Sequence, residues 1–145
     1  MIRALGAYHG DVDVKITSDT LARDALGPHP WVRVIVAENA DRLQAYAALL
    51  PLAKIVDGLR GIDINHMYVA GGLRGQGIGR QLIYVAADIA RTLGCSYMFI
   101  GTAPENVDAQ AHTLPADLNA GPMVGHGFAA PSDRCDGLNP IVPWR

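Results

Sequence analysis

Met67-Tyr68-Val69-Ala70-Gly71-Gly72-Leu73-Arg74-Gly75-Gln76-Gly77-Ile78-Gly79-Arg80 is the stretch on which the reading of this chain turns. A strand runs into a loop containing Arg-Gly-Gln-Gly-Ile-Gly, and a helix leaves it. Glycines at 75, 77 and 79 have no Cβ, so backbone N–H groups there can approach an anion closely. The helix start adds unpaired N–H groups and the positive end of its dipole at the same point. The stretch is suited to a phosphate or pyrophosphate. It is not a Walker A loop, because Gly-Lys-Ser/Thr is absent, and the three glycines do not spell GxGxxG. The plainer alternative is a tight strand-to-helix turn. An arginine, three alternating glycines and an amphipathic helix together favour binding.

The flanking elements follow outward. Ile62–Val69 (IDINHMYV) is the strand that enters the loop. Ile78–Leu93 is the helix that leaves it, with Ile78, Leu82, Val85, Ile89 and Leu93 at helical spacing, Arg80, Gln81, Asp88 and Arg91 among the polar positions, and Gly94 as its stop. Cys95–Gly101 reads as a buried strand, so the three elements make a βαβ unit within one sheet. Trp31–Glu38 and Arg42–Leu52 read as a hairpin across Asn39-Ala40-Asp41, although the Leu and Ala of the second leave helix as its alternative. A helix is expected from Thr17–Ser18, where a hydroxyl can cap backbone N–H groups, to the stop at Gly27-Pro28-His29-Pro30. Met1–Tyr8 is expected to be a short first strand that turns at His9-Gly10. Downstream, Asn106–His112 reads as the start of a helix and Leu114–Gly125 as an irregular loop. Late strands are expected around Gly127–Ala130 and Leu138–Trp144.

The bulk properties narrow the class. At 145 residues the chain suits one domain over 1–145, and a 50% hydrophobic content is ample for a packed core. A net charge of −2 lacks the basic face that nucleic acid calls for. Cys95 and Cys135 are too few for a disulfide framework. No secretory leader is legible at Met1–Gly10, and no stretch is long and apolar enough for a membrane span. A cytoplasmic location is the default expectation. His9-Gly10-Asp11-Val12-Asp13 could offer metal ligands, yet turn chemistry accounts for it better, so no metal is expected.

Arg74-Gly75-Gln76-Gly77-Ile78-Gly79 resembles the R/Q-x-x-G-x-G/A signature of the GNAT acetyltransferases. Gly94-Cys95 with its following strand, Asn106 with Ala109, and His126-Gly127-Phe128 are similar to further pieces of that family. The resemblance implies an α/β fold: a mixed, mostly antiparallel sheet, splayed between its strands 4 and 5 (here Ile62–Val69 and Cys95–Gly101), with flanking helices. It implies acetyl-CoA as co-substrate, with its pantetheine arm in the splay and an amine acceptor opposite. By position, Met67, Tyr68 and Val69 lie along the arm and thioester, with main-chain groups offered by Tyr68 and Val69. Arg74, Gly75, Gln76, Gly77, Ile78, Gly79 and Arg80 hold the pyrophosphate, and Asn106 contacts the arm. Gly27-Pro28-His29-Pro30 and Val36-Ala37-Glu38 also resemble pieces of the spermidine/spermine-type acetyltransferases. That subgroup has Glu-Asp where this chain has Asn65-His66, which removes the obvious attraction for a polyamine.

Acyl transfer to an amine needs a base for the amine and a proton donor for the leaving thiolate. His66 is the first candidate base, because imidazole titrates near neutral pH. Asp63, acting through a water, is the second, and a strand histidine satisfied by a neighbour is the alternative. Where the family often has a tyrosine as thiolate donor, this chain has Thr113. His112 is then the candidate donor, with Tyr97 behind it. The expected activity is acetyl transfer to a primary amine, the alternative being an acyl-CoA-binding regulatory domain. One convincing N-terminal helix, where the family fits two, and the apolar tail Ile141-Val142-Pro143-Trp144 suggest a homodimer.

Overall fold

The structure is a computed structural model that describes residues 1–10, 13–40, 42–101, 121–122 and 127–131. Asn106, His112, Thr113 and the tail at 138–144 lie outside the described residues. Two helices come first, α1 (Ile2–His9) and α2 (Ser18–Leu26), followed by β1 (Arg33–Asn39), β2 (Arg42–Lys54) and β3 (Leu59–Val69). A 3-10 turn at Gly71–Leu73 leads to α3 (Ile78–Thr92) and β4 (Tyr97–Gly101), with β5 (Gly121–Pro122) and β6 (Gly127–Pro131) completing the sheet. Strand order is β1-β2-β3-β4-β6-β5, with β3 and β4 parallel and every other neighbouring pair antiparallel. This is the mixed, mostly antiparallel α/β sheet that the sequence implies.

Two expectations change. Met1–Tyr8 is not a strand but α1. Arg, Ala and Leu favour helix, Leu5 is buried, and Gly10 closes the helix at φ 82° with its N–H on the Ala7 carbonyl. The His9-Gly10 turn is therefore a helix end, and two helices, not one, precede the first hairpin. Within the loop expected at Leu114–Gly125, Gly121 and Pro122 pair with Ala129 and Phe128. Elsewhere the punctuation holds: Thr17 caps α2 through a reciprocal pair of bonds with Thr20.

α3 lies on one sheet face. Its Leu82, Ile83, Ala86, Ala87, Ile89 and Ala90 pack on Ile35, Ala45, Ala47, Leu49, Ile62, Ile64, Met98 and Ile100. Facing alanines on β2 and α3 let helix and sheet approach closely. Tyr46, on the opposite face, is 3% exposed, and its hydroxyl has no hydrogen-bond partner among the described residues. Burial pushes the Tyr46 pKa up to about 12. Removing an unpaired buried hydroxyl relieves a desolvation cost of about 1–3 kcal/mol. Tyr46→Phe should therefore leave the thermal midpoint unchanged or raise it. A clear drop in calorimetry would mean that the hydroxyl is bonded in the fold.

Candidate active site

β3 carries one residue too many for β2. Ala48 pairs with His66 and Leu49 with Ile64, which leaves Asn65 as a bulge. Parallel pairing of β3 with β4 ends at the same place, at Ile64 opposite Ile100. A bulge bends its strand and increases the local twist, and among the described residues no strand pairs with β3 from Asn65 to Val69 on the β4 side. This is the splay.

The bulge also changes which side chains share a face. Ile62 and Ile64 point to α3, and strict alternation would send His66 and Tyr68 there too. The extra residue instead sends Met67 and Val69 to the α3 side, where both pack against the core. Asp63, His66 and Tyr68 fall together on the other face, opposite Leu50, Ala48 and Tyr46. Asn65 Nδ2 donates to Asp63 Oδ2 at 3.3 Å. Burial pushes the Asp63 carboxyl above the usual carboxylate range, against smaller downward pulls from Asn65 and His66. The two candidate bases thus sit together at the mouth of the splay, and His66 is exposed.

Main-chain groups follow the same register. The Ala70 N–H donates to the Gln44 carbonyl at 3.0 Å. Bonded pairs alternate in an antiparallel ladder, so Tyr68 opposite Tyr46 and His66 opposite Ala48 are bonded to β2. The N–H and C=O groups of Met67 and Val69 point the other way, to an edge on which no described strand pairs with them. An extended ligand arm would therefore meet Met67 and Val69, whereas the sequence reading assigns the main-chain groups to Tyr68 and Val69.

Beyond Val69 the turn feeds α3. Gly75 and Gly77 hold φ of 74° and 83°, a conformation that favours glycine, and Gly77 is the N-cap. The first helical bond runs from the Gln81 N–H to the Gly77 carbonyl at 3.1 Å. The N–H groups of Ile78, Gly79 and Arg80 thus have no intrahelical acceptor, and no side chain caps them. Gly79 lies over Val69 and Met67, so helix start and open strand edge adjoin. Gln76 Nε2 braces the loop on the Gly72 carbonyl at 3.2 Å.

Tyr97 is level with Gly61 and its ring lies over it, on the sheet face of Asp63 and about 7 Å along β3 from it at about 3.3 Å per residue, at the end of the strand away from Val69. A cavity of about 460 Å³ opens at that far end, beside Trp31, Pro51, Arg60, Leu93 and Cys95, and is not part of the splay. Among the described residues no group of three His, Cys, Asp or Glu side chains could hold a metal ion. No helix among them is long and apolar enough to cross a membrane. Tyr46, Asn65 and the bulge are the features that sequence reasoning missed. The signal for the bulge was the break in alternation between Ile62-x-Ile64 and Met67-x-Val69.

Parallel strands whose described pairing ends beside a glycine-capped helix start define the class as an N-acyltransferase-type α/β domain. Residues 6–112 match the Acetyltransferase (GNAT) family, and the chain belongs to it. It is 32% identical over 105 residues to the thialysine N-epsilon-acetyltransferase of Sus scrofa, covering 66% of this chain and 61% of that protein. The Bos taurus counterpart is 32% identical over 111 residues, covering 68% and 62%. The chain thus spans about three fifths of the length of these relatives. Among solved structures, an aminoglycoside acetyltransferase from an uncultured soil metagenomic sample, in complex with trehalose, superposes with a TM-score of 0.69. At 21% identity over 86% of this chain and 82% of that one, it attests the fold.

The helix start can be tested without disturbing the core. A Cβ on Gly79 meets only ordinary contacts, with Val69 Cγ2 at 3.7 Å and Met67 Cε at 3.9 Å. Gly79→Asp places a carboxylate in the first turn, where it favours the helix by roughly 0.3–1 kcal/mol. The same carboxylate repels a pyrophosphate. Acetyl-CoA affinity should fall by at least about 100-fold in Gly79→Asp while Gly79→Ala keeps most of it. Equal calorimetric affinity in the two folded variants would remove the helix start from the site.

Proposed function

We propose that this chain transfers an acetyl group from acetyl-CoA to a primary amine on a small molecule, by direct attack of the amine on the thioester. One observation carries the reading: the open main-chain edge of Met67 and Val69 runs straight into the uncapped start of α3. An arm with amide groups suits the first, and a pyrophosphate suits the second. The thialysine relatives, named for transfer to an Nε, favour a primary amine.

In this reading Arg74 to Arg80 hold the pyrophosphate mostly by backbone N–H, and Asn106 reaches the arm. Acetyl-CoA supplies an activated acyl carbon and a thiolate leaving group. His66 takes the proton from the attacking amine, directly or by way of Asp63 and a water, and His112 returns a proton to the thiolate. The side chains of Asp63 and His66 share the face on which an acceptor would approach the splay.

Thiol release from acetyl-CoA with a panel of primary amines tests the activity. Tight acetyl-CoA binding with no release from any amine would instead favour the regulatory acyl-CoA-binding reading, which Thr113 in the place of a tyrosine supports. A base works only when deprotonated, so kcat/KM should rise with pH as the base loses its proton. His66→Gln should lower it by roughly 10²–10⁴ at neutral pH. The residual activity should then rise at lower pH, yet above the usual carboxylate range, because burial raises Asp63. Wild-type kcat/KM in His66→Gln would move the role elsewhere.

A homodimer and a cytoplasmic site of action complete the proposal. The first rests on the apolar tail Ile141–Trp144, because the argument from a thin N-terminal cover falls with α1 and α2. Sedimentation should give a dimer at micromolar concentration, and a monomer alone would refute it.

A further inference from the structure

Val69 presents its carbonyl at the β3 edge on which no described strand pairs, and that carbonyl is already in use. Arg74 Nε donates to it at 3.1 Å. The same guanidinium lies over the Tyr68 ring, with Cζ 5.9 Å from the centroid. Arg74 therefore reaches back from the loop, crosses the open edge of β3 and rests against the aromatic side chain on the acceptor face. A carbonyl oxygen can accept twice, but a planar guanidinium laid across this edge covers the path an extended arm would follow.

We propose that Arg74 is a selectivity residue for the acyl donor, which keeps the arm's backbone edge closed until a diphosphate draws the guanidinium away. The inference rests on the reading of the splay as the acetyl-CoA site. Its chemistry is an exchange of acceptors. Two of the partners that hold Arg74 at this edge in the free protein are a neutral carbonyl and an aromatic face, both modest. A diphosphate offers charged oxygens in the geometry a guanidinium fits, and such bonds are about twice as strong. A donor with a diphosphate displaces Arg74 from Val69 and regains the contact at its phosphates. A thioester on bare pantetheine must displace it with nothing in return. Arg74 thus penalises the truncated donor while aiding the complete one, and loop and strand act as one recognition unit although the ligand touches them at separate points.

The two roles predict opposite signs for one substitution. Arg74→Ala should weaken acetyl-CoA binding about three- to tenfold, the range for one exposed charge-assisted contact. The same variant should bind S-acetylpantetheine about two- to fivefold more tightly than wild type, because the edge is already open. Dissociation constants for both ligands, on wild type and on a variant whose thermal midpoint is unchanged, decide it. The crossing of the two effects supports the proposal. Weaker binding of both ligands, or no change for S-acetylpantetheine while acetyl-CoA binds wild type normally, overturns it and leaves the site intact. Failure of wild type to bind acetyl-CoA at all overturns the site reading, and this inference with it.

Discussion

Asn65 is a single residue for which β2 has no opposite number, and most of the site depends on that mismatch. Strand alternation has a period of two, so one unpaired residue exchanges the two faces of everything after it. Without the bulge, His66 and Tyr68 would point into the alanine-rich packing beneath α3, and Met67 and Val69 would face the acceptor side. With it, apolar side chains continue the core past the point where β4 departs. The polar ones gather on the opposite face. The same distortion falls where described pairing with β4 ends, so one irregularity marks both the open edge among the described residues and the side chains beside it.

An open strand edge inside a fold is costly unless something keeps it from closing. Here the helix does. α3 is pinned by six buried side chains, three of them alanines, against Ala45, Ala47 and the isoleucines of β1, β3 and β4. That close packing fixes where the helix begins, and Gly79 lies against Val69 and Met67 without a side chain to hold them apart. The positive φ of Gly75 and Gly77 turns the chain so that the helix starts beside that edge. Rigid packing on one face thus sets the position of an anion site at the end of the sheet.

Much of this was legible in the residues. Glycines at alternate positions before Ile78 announce both the turn and the helix, because no other residue type serves both φ and close approach. Thr17 and Gly94 mark helix ends for the same kind of local reason, and each holds. What was not legible is tertiary. Ile2 and Leu5 in a short apolar segment satisfy strand and helix patterns alike, and only the burial of Leu5 and the left-handed Gly10 decide for helix. The spacing Ile78, Leu82, Val85, Ile89, Leu93 finds α3 and, with the exception of Leu93, residues on its core face, but it passes over the alanines. Leu93 is 36% exposed, whereas Ala86, Ala87 and Ala90 are buried. Alanine gives a weak hydrophobic signal and a strong packing one. Hydrogen bonds such as Arg74 to Val69 need the folded turn before they exist.

The acceptor face has an electrostatic character of its own, and it bears on which amines suit the proposed reaction. Asp63 is the carboxylate that β3 brings there, half-buried and pushed toward its neutral form. Next to it stand an amide and an imidazole, Asn65 and His66. A polyamine is bound by several fixed negative charges spaced along its length, and this strand supplies one. A donor-acceptor pair at Asn65 and a raised carboxylate at Asp63 are better matched to a single amine entering neutral, or losing its proton as it enters. Tyr46 adds a buried, hard-to-ionise hydroxyl one strand further in. Together these groups favour selection by desolvation and hydrogen bonding over long-range attraction. In the proposed reaction such a face would select acceptors by hydrogen bonding more than by long-range attraction, and acceptor affinity should change little with salt.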